Sequence, residues 1–225
     1  MKGFVLAMAT LRISWWFGEN RQASARRRTP RATIPTVGVL AAYLAVGGLS
    51  AAMATALGYD DHEGWLGIRG NASLVLSLGL GICLGAITIA GTRAIVRRAE
   101  WARALHVALR PAVHGAGDGV LMALAAASAT GEELLFRGLL VPMVGVVTSS
   151  LVFGGLHQIR GRGRWGWMAW ATLMGLIFAG VFKATGSLAG PLVAHAAINH
   201  ANLRFLRDND PAPPPARPLG GLLKR

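Results

Sequence analysis

Two adjacent glutamates, Glu132 and Glu133, interrupt an apolar stretch from Leu121 to Arg137 that otherwise suits the interior of a lipid bilayer. A carboxylate near the centre of a spanning helix costs roughly 2.5–3.5 kcal/mol on insertion scales, and adjacent like charges repel unless one is paired or protonated. Arg137 lies four residues after Glu133 on the same helical face, so a structural Glu133–Arg137 ion pair accounts for that carboxylate. The same offset from Glu132 reaches Phe136, and the ion-pair explanation does not extend to it. An intramembrane carboxylate of that kind is a functional-site candidate.

Three further polar residues sit in apolar helical runs: His157 at the end of Leu151–His157, and His195 with Asn199 in Pro191–Asn199. His195 and Asn199 are four apart and point the same way from one helix face. If the apolar runs around Glu132 and His157 form a hairpin turning near Met143, the two residues lie about 16 and 21 Å below the turn at about 1.5 Å per residue. A last helix entering near Ser187 places His195 and Asn199 about 12 and 18 Å down. All four can meet in one layer.

A carboxylate, two imidazoles and an amide in a low-dielectric cavity supply what amide hydrolysis needs. Glu132 with His157 can deprotonate a water and later protonate the leaving amine. His195 and Asn199 can donate hydrogen bonds to the oxyanion of the tetrahedral intermediate. The expected catalytic set is therefore Glu132, His157, His195 and Asn199, with no cofactor. The rival is a zinc mechanism in which Glu132, His157 and His195 are ligands and water takes the fourth position. No His-Glu-x-x-His or nucleophile-elbow pattern is present, which disfavours ordinary zincins and serine hydrolases.

The elements that must position these residues are helices. Of 225 residues, 53% are hydrophobic and 15% charged, and the mean hydropathy is positive. Long apolar runs broken by arginine clusters predict an all-α polytopic transmembrane bundle. Six spans are expected, over about 34–58, 72–92, 117–142, 144–157, 167–183 and 188–205. The lysines and arginines divide 20 against 2 between alternate loops, with Arg137 inside the membrane. That asymmetry puts both termini in the cytoplasm. The net charge of +13 belongs to those loops, and nucleic acid is not among the expected partners.

Four regions follow: a basic interfacial N-terminal segment at 1–33, two accessory spans and a cytoplasmic loop at 34–110, a catalytic helical core at 111–206, and a proline-rich cytoplasmic tail at 207–225. Cys83, the single cysteine, allows no intrachain disulfide and reads as a small core residue. His62 reads as a solvated loop residue, His106 and His114 as residues at a span entrance, and His200 as a packing residue. Trp165, Trp167 and Trp170 read as an aromatic belt.

Glu132-Glu133-x-x-x-Arg137, Phe153-x-x-x-His157 and His195-x-x-x-Asn199, in this order, resemble the three motifs of the CAAX protease and bacteriocin-processing (CPBP, or ABI) family. The stretch from Gly175 through Thr185–Pro191 to Asn199 is similar to the family pattern around the third motif, and the likeness spans roughly Gly117 to Asn202. The resemblance implies an intramembrane endopeptidase related to the CAAX prenyl endopeptidase of the endoplasmic reticulum. It further implies that Glu132 and His157 activate water while His195 and Asn199 form the oxyanion site, without a catalytic metal. A membrane-associated or lipid-anchored protein or a leader peptide is the expected substrate. The arginine-rich composition suggests a bacterial cytoplasmic membrane as the location. A non-proteolytic immunity or scaffolding protein of the same family is the competing reading. Proton-coupled transport would also use buried Glu and His, but it favours repeat symmetry that this sequence lacks.

Overall fold

The computed structural model describes residues 36–59 and 71–211. The N-terminal basic segment, the loop carrying His62 and the prolines beyond Pro211 lie outside the described residues. Seven α-helices are described: α1 Thr36–Ala56, α2 Asn71–Arg98, α3 Glu100–Val113, α4 Asp118–Glu133, α5 Val141–Leu156, α6 Arg164–Thr185 and α7 Ala189–Asp208. A π-helical segment, Leu134–Leu140, joins α4 to α5. The fold is all-helical, with no β-strand element among the described residues.

Among the described residues, four helical stretches are long and apolar enough to cross a membrane: Thr36–Ala56, Asn71–Arg98, Asp118–Leu156 and Arg164–Thr185. Helix α7, expected as a sixth span, falls outside this group because it carries His195, Asn199, His200, Asn202 and Arg204 on one turn after another. It lies in the middle of the bundle, packed against α2 on one side and α4 on the other.

The stretch Asp118–Leu156 is a hairpin. Gly145 has φ 83° and ψ 166° and breaks the helix, a conformation open to glycine and strained for other residues. In a straight helix Phe136 and Phe153 would be about 25 Å apart; their rings meet edge to face with centroids 4.8 Å apart. Ser149 Oγ donates back to the Phe136 carbonyl at 3.1 Å. The reversal thus falls two residues beyond the expected Met143, which leaves Glu132 and His157 nearly equidistant from it. Pro142 has no N–H to offer the carbonyl of Gly138, and the Val141 N–H reaches back five residues to Phe136, which is the π-helical pattern.

Close helix crossings fix the bundle. On α2 the buried positions Ser77, Gly81 and Gly85 repeat every four residues, the small-residue spacing that lets membrane helices approach closely. They meet the start of α7. The Gly190 N–H donates to Ser77 Oγ at 3.0 Å, and Ser77 Oγ donates to the Ser187 carbonyl at 3.2 Å. Ser73 Oγ bonds the Thr185 carbonyl. A Cβ on Gly190 would lie 2.7 Å from the Ser77 backbone carbon. Gly190→Leu is therefore expected to destabilise the bundle by about 1–3 kcal/mol or more, whereas Gly91→Ala, which meets nothing within 4 Å, leaves stability unchanged. Thermal melts of the purified protein in detergent would separate the two variants.

Two expectations are corrected here. Cys83 is exposed; the buried stripe of α2 runs through Gly81 and Gly85, and a residue two positions from either points about 200° around the helix. The segment after Arg98, expected as a loop, is the amphipathic helix α3. Its His106 is buried, its Nε2–H donating to the Asn209 carbonyl at 2.9 Å and its ring set edge-on to Phe205. Burial holds the His106 imidazole below its ordinary pKa, so this residue ties α3 to the end of α7 as a neutral ring.

Candidate active site

Glu132 and Glu133 lie in the last turn of α4, immediately before the π-helical segment. Glu133 is buried with only 1% of its surface exposed, and Arg137 equals it. Arg137 Nη1 donates to Glu133 Oε1 at 3.1 Å, and its Nη2 donates to the Gly175 carbonyl at 3.2 Å. The guanidinium also stands over the rings of Phe153 and Phe178 at 4.8 and 5.2 Å. Planar charge, forked hydrogen bonds and aromatic faces suit arginine where lysine would reach only one partner.

The same Glu133 Oε1 accepts a second hydrogen bond, from His195 Nδ1 at 2.7 Å, across 62 residues of sequence. A carboxylate held by an arginine can only accept, so Nδ1 carries the proton and Nε2 is left facing the other way. Nε2 faces Glu132, whose Oε2 lies 3.7 Å away. The His195 ring is gripped by Phe178, with centroids 5.3 Å apart, and edge-on by Phe153 at 6.1 Å.

His157 sits one residue past the end of α5, where its backbone N–H still bonds the Gly154 carbonyl. Its Nδ1 lies 2.7 Å from the Phe153 carbonyl, an orphan acceptor of the helix terminus. A carbonyl only accepts, so Nδ1 is again the donor and Nε2 turns outward. It lies 3.9 Å from Glu132 Oε2. Two imidazoles of fixed tautomer therefore flank one carboxylate oxygen at separations longer than a direct hydrogen bond and suited to a shared water. Glu132 and His157 keep 13% and 15% of their side-chain surface accessible, against 1% for Glu133.

Asn199 stands one turn beyond His195 on α7, and its Nδ2 donates to Ser128 Oγ at 3.0 Å. Ser128 is one turn before Glu132 on α4 and donates in turn to the Ala125 carbonyl at 3.2 Å. Helices α4 and α7 thus run antiparallel with two polar pairs in register, Glu132 opposite His195 and Ser128 opposite Asn199. The same register brings Asp118, at the start of α4, to Arg207 at the end of α7 at 2.8 Å.

The structure brings His157 and His195 each within 4 Å of Glu132 Oε2 and sets Asn199 one helical turn from His195. Reading the sequence missed Ser128, the Glu133–His195 bond and the packing of Trp167 on the His157 ring, with centroids 5.4 Å apart. The serine was detectable as the residue four before Glu132; the other two are contacts between distant helices. Among the described residues, no group of three or more His, Cys, Asp or Glu side chains is arranged to hold a metal ion.

Residues 118–201 match the sequence model of the family described as type II CAAX prenyl endopeptidase Rce1-like. Over this segment the chain is similar to the Rce1-like family. The segment contains all four candidate residues, Glu132, His157, His195 and Asn199, together with Ser128, Glu133 and Arg137. The chain is also 35% identical over 71 residues to the uncharacterized protein YpbD of Bacillus subtilis (strain 168), an alignment covering 32% of this chain and 37% of that protein. The chain thus matches little more than a third of the length of that relative. No solved structure matches it.

Proposed function

We propose that this membrane protein is an intramembrane endopeptidase that hydrolyses a peptide bond in a membrane-associated or lipid-anchored protein or a leader peptide. The observation that carries the reading is the Glu132 carboxylate flanked by the Nε2 atoms of His157 and His195 at 3.9 and 3.7 Å. A water held there is deprotonated by Glu132, assisted by His157, as it attacks the scissile carbonyl. The proton then passes to the leaving amine as the tetrahedral intermediate collapses. The oxyanion is met by Asn199 Nδ2 and by His195, whose Nε2 donates once it has taken up a proton from solvent to give the imidazolium form. The Glu133 carboxylate beneath Nδ1 stabilises that imidazolium and holds the ring's orientation, the part an orienting carboxylate plays for a catalytic histidine. The arginine-rich loops orient the bundle with both termini in a bacterial cytoplasm.

Asn199→Ala leaves the water-activating pair intact and removes one oxyanion donor. Its turnover is expected to fall about 10²- to 10³-fold, short of complete loss, with KM changed much less than kcat.

Metal dependence tests the chemistry. The purified protein, reconstituted in lipid and stripped with chelator, is expected to keep cutting a membrane-anchored reporter peptide at its original rate. Activity lost on stripping, restored by one equivalent of zinc, and a zinc site abolished by His195→Ala would refute the glutamate mechanism and assign Glu132, His157 and His195 as ligands.

A further inference from the structure

A cavity of about 100 Å³ lies between α2, α3, α6 and α7. Its walls are mainly apolar: Trp101, Leu105 and Leu109 from α3, Trp167 and Trp170 from α6, and Leu206 from α7. The polar residues around it have inward-turned partners. Arg93 donates to Asn202 Oδ1 at 2.7 Å and to the Ala201 carbonyl at 2.8 Å, and His106 is bonded to Asn209. What the cavity offers an occupant is therefore aromatic and aliphatic surface.

Its position ties it to the hydrolytic cluster. Trp167 lines the cavity and its ring meets that of His157. Asn202, also on the cavity wall, is seven residues past His195, the residue opposite Glu132, about 10.5 Å along the helix axis. An extended peptide advances about 3.3–3.6 Å per residue. A chain whose scissile bond lies at Glu132 therefore reaches the cavity with a residue about three positions away.

The packing of α3 keeps this wall in place. Trp101 lies on the backbone of Gly166, where an added Cβ would come within 2.6 Å of its Cε3 and 2.7 Å of its Cγ. Helix α3 lies outside residues 118–201, so one wall of the cavity comes from the segment that matches the Rce1-like model and the opposite wall from outside it.

We propose that this cavity is a specificity subsite, taking one large apolar side chain of the substrate peptide about three residues from the cleaved bond, with α3 supplying the wall that sets the size limit. The proposal rests on the endopeptidase reading. Two measurements on the full-length protein in liposomes test it separately from that reading. The first follows cleavage of lipid-anchored reporter peptides in which Gly, Ala, Leu or Phe is walked through the three positions on either side of the bond. The wild type should prefer Leu or Phe over Gly at one position by on the order of 10- to 200-fold. Ala102→Phe, which fills the cavity, should erase that preference, and Leu105→Ala should shift it toward Phe.

The second uses Leu105→Cys in a Cys83→Ser, Glu132→Gln background and measures maleimide labelling of the introduced thiol with the same peptides. Peptides carrying Leu or Phe at the preferred position should slow labelling, and their Gly counterparts should not. If the wild type cleaves but Ala102→Phe keeps the full preference and labelling is indifferent to peptide, the subsite is overturned while hydrolysis stands. Selective protection without cleavage by any variant would keep the subsite and overturn hydrolysis. Labelling slowed equally by every peptide, or by none, contradicts a side-chain pocket whatever the cleavage result.

Discussion

Glu132→Gln is expected to accumulate as a folded protein and lose turnover by about 10²- to 10⁴-fold, the range attributable to a positioned general base. The amide keeps the shape of the side chain and leaves no stranded charge, so the bundle has no reason to loosen. Its oxygen cannot take a proton from water at neutral pH. His157→Ala is expected to cause a comparable loss, because the imidazole at 3.9 Å shares the work of holding and deprotonating the water. The double variant should be scarcely worse than the worse single one, as groups acting as a unit are strongly non-additive. Thermal melts in detergent beside rate measurements check both halves of the prediction. Unchanged turnover in Glu132→Gln would remove Glu132 from the chemistry, and a collapsed melt would give it a structural role.

Arg137→Ala is expected to fail earlier, at folding. It strips the arginine's hydrogen bonds from Glu133 Oε1 and from the Gly175 carbonyl, both in the buried centre of the bundle. Removing one partner of a buried ion pair typically costs about 3–5 kcal/mol, a large share of the stability of most domains. Arg137→Lys should recover only part of this, since an ammonium cannot span the carboxylate and the carbonyl while stacking on Phe153 and Phe178. Removing both charges together, as Glu133→Gln with Arg137→Met, should restore much of the accumulation, because an apolar replacement of a buried pair is better tolerated than its disruption. That double variant should still turn over poorly, having lost the carboxylate that orients His195. Normal accumulation and an unchanged melt in Arg137→Ala would show that the pair does not hold the fold.

Much of this site could be read from the spacing of polar residues in apolar sequence. Glu133 and Arg137, and His195 and Asn199, are four apart, and a helix turns that spacing into a shared face whatever the tertiary packing. The turn between Glu132 and His157 was expected near Met143 and falls at Gly145; the shift is small because the two apolar arms must match in length to reach the same depth.

What was hidden depends on contacts between distant helices. The Glu133–His195 hydrogen bond joins α4 to α7, and no local pattern distinguishes it from an ion pair of Glu133 with Arg137 alone. The Phe153 carbonyl that orients His157 is available only because α5 ends there. Trp167 carries the composition of an interfacial residue and yet packs on a catalytic candidate, since Gly163 and Gly166 let α3 close over that end of α6. Cys83 was misplaced because apolar surroundings in a membrane helix do not distinguish the lipid-facing side from the packed side. Helix α3 was read as a loop because its arginines dominate a segment whose apolar positions recur at helical spacing.

The central claim is that a membrane-associated polypeptide is cut by water activated at Glu132. Its most direct test is quantitative profiling of polypeptide termini in membranes from cells producing either the wild-type protein or Glu132→Gln at matched levels. The account predicts at least one new terminus, within or close to a membrane-associated segment, that appears with the wild type and is absent with the variant. Identical terminal profiles in the two membranes, with both proteins folded and equally abundant, would contradict it.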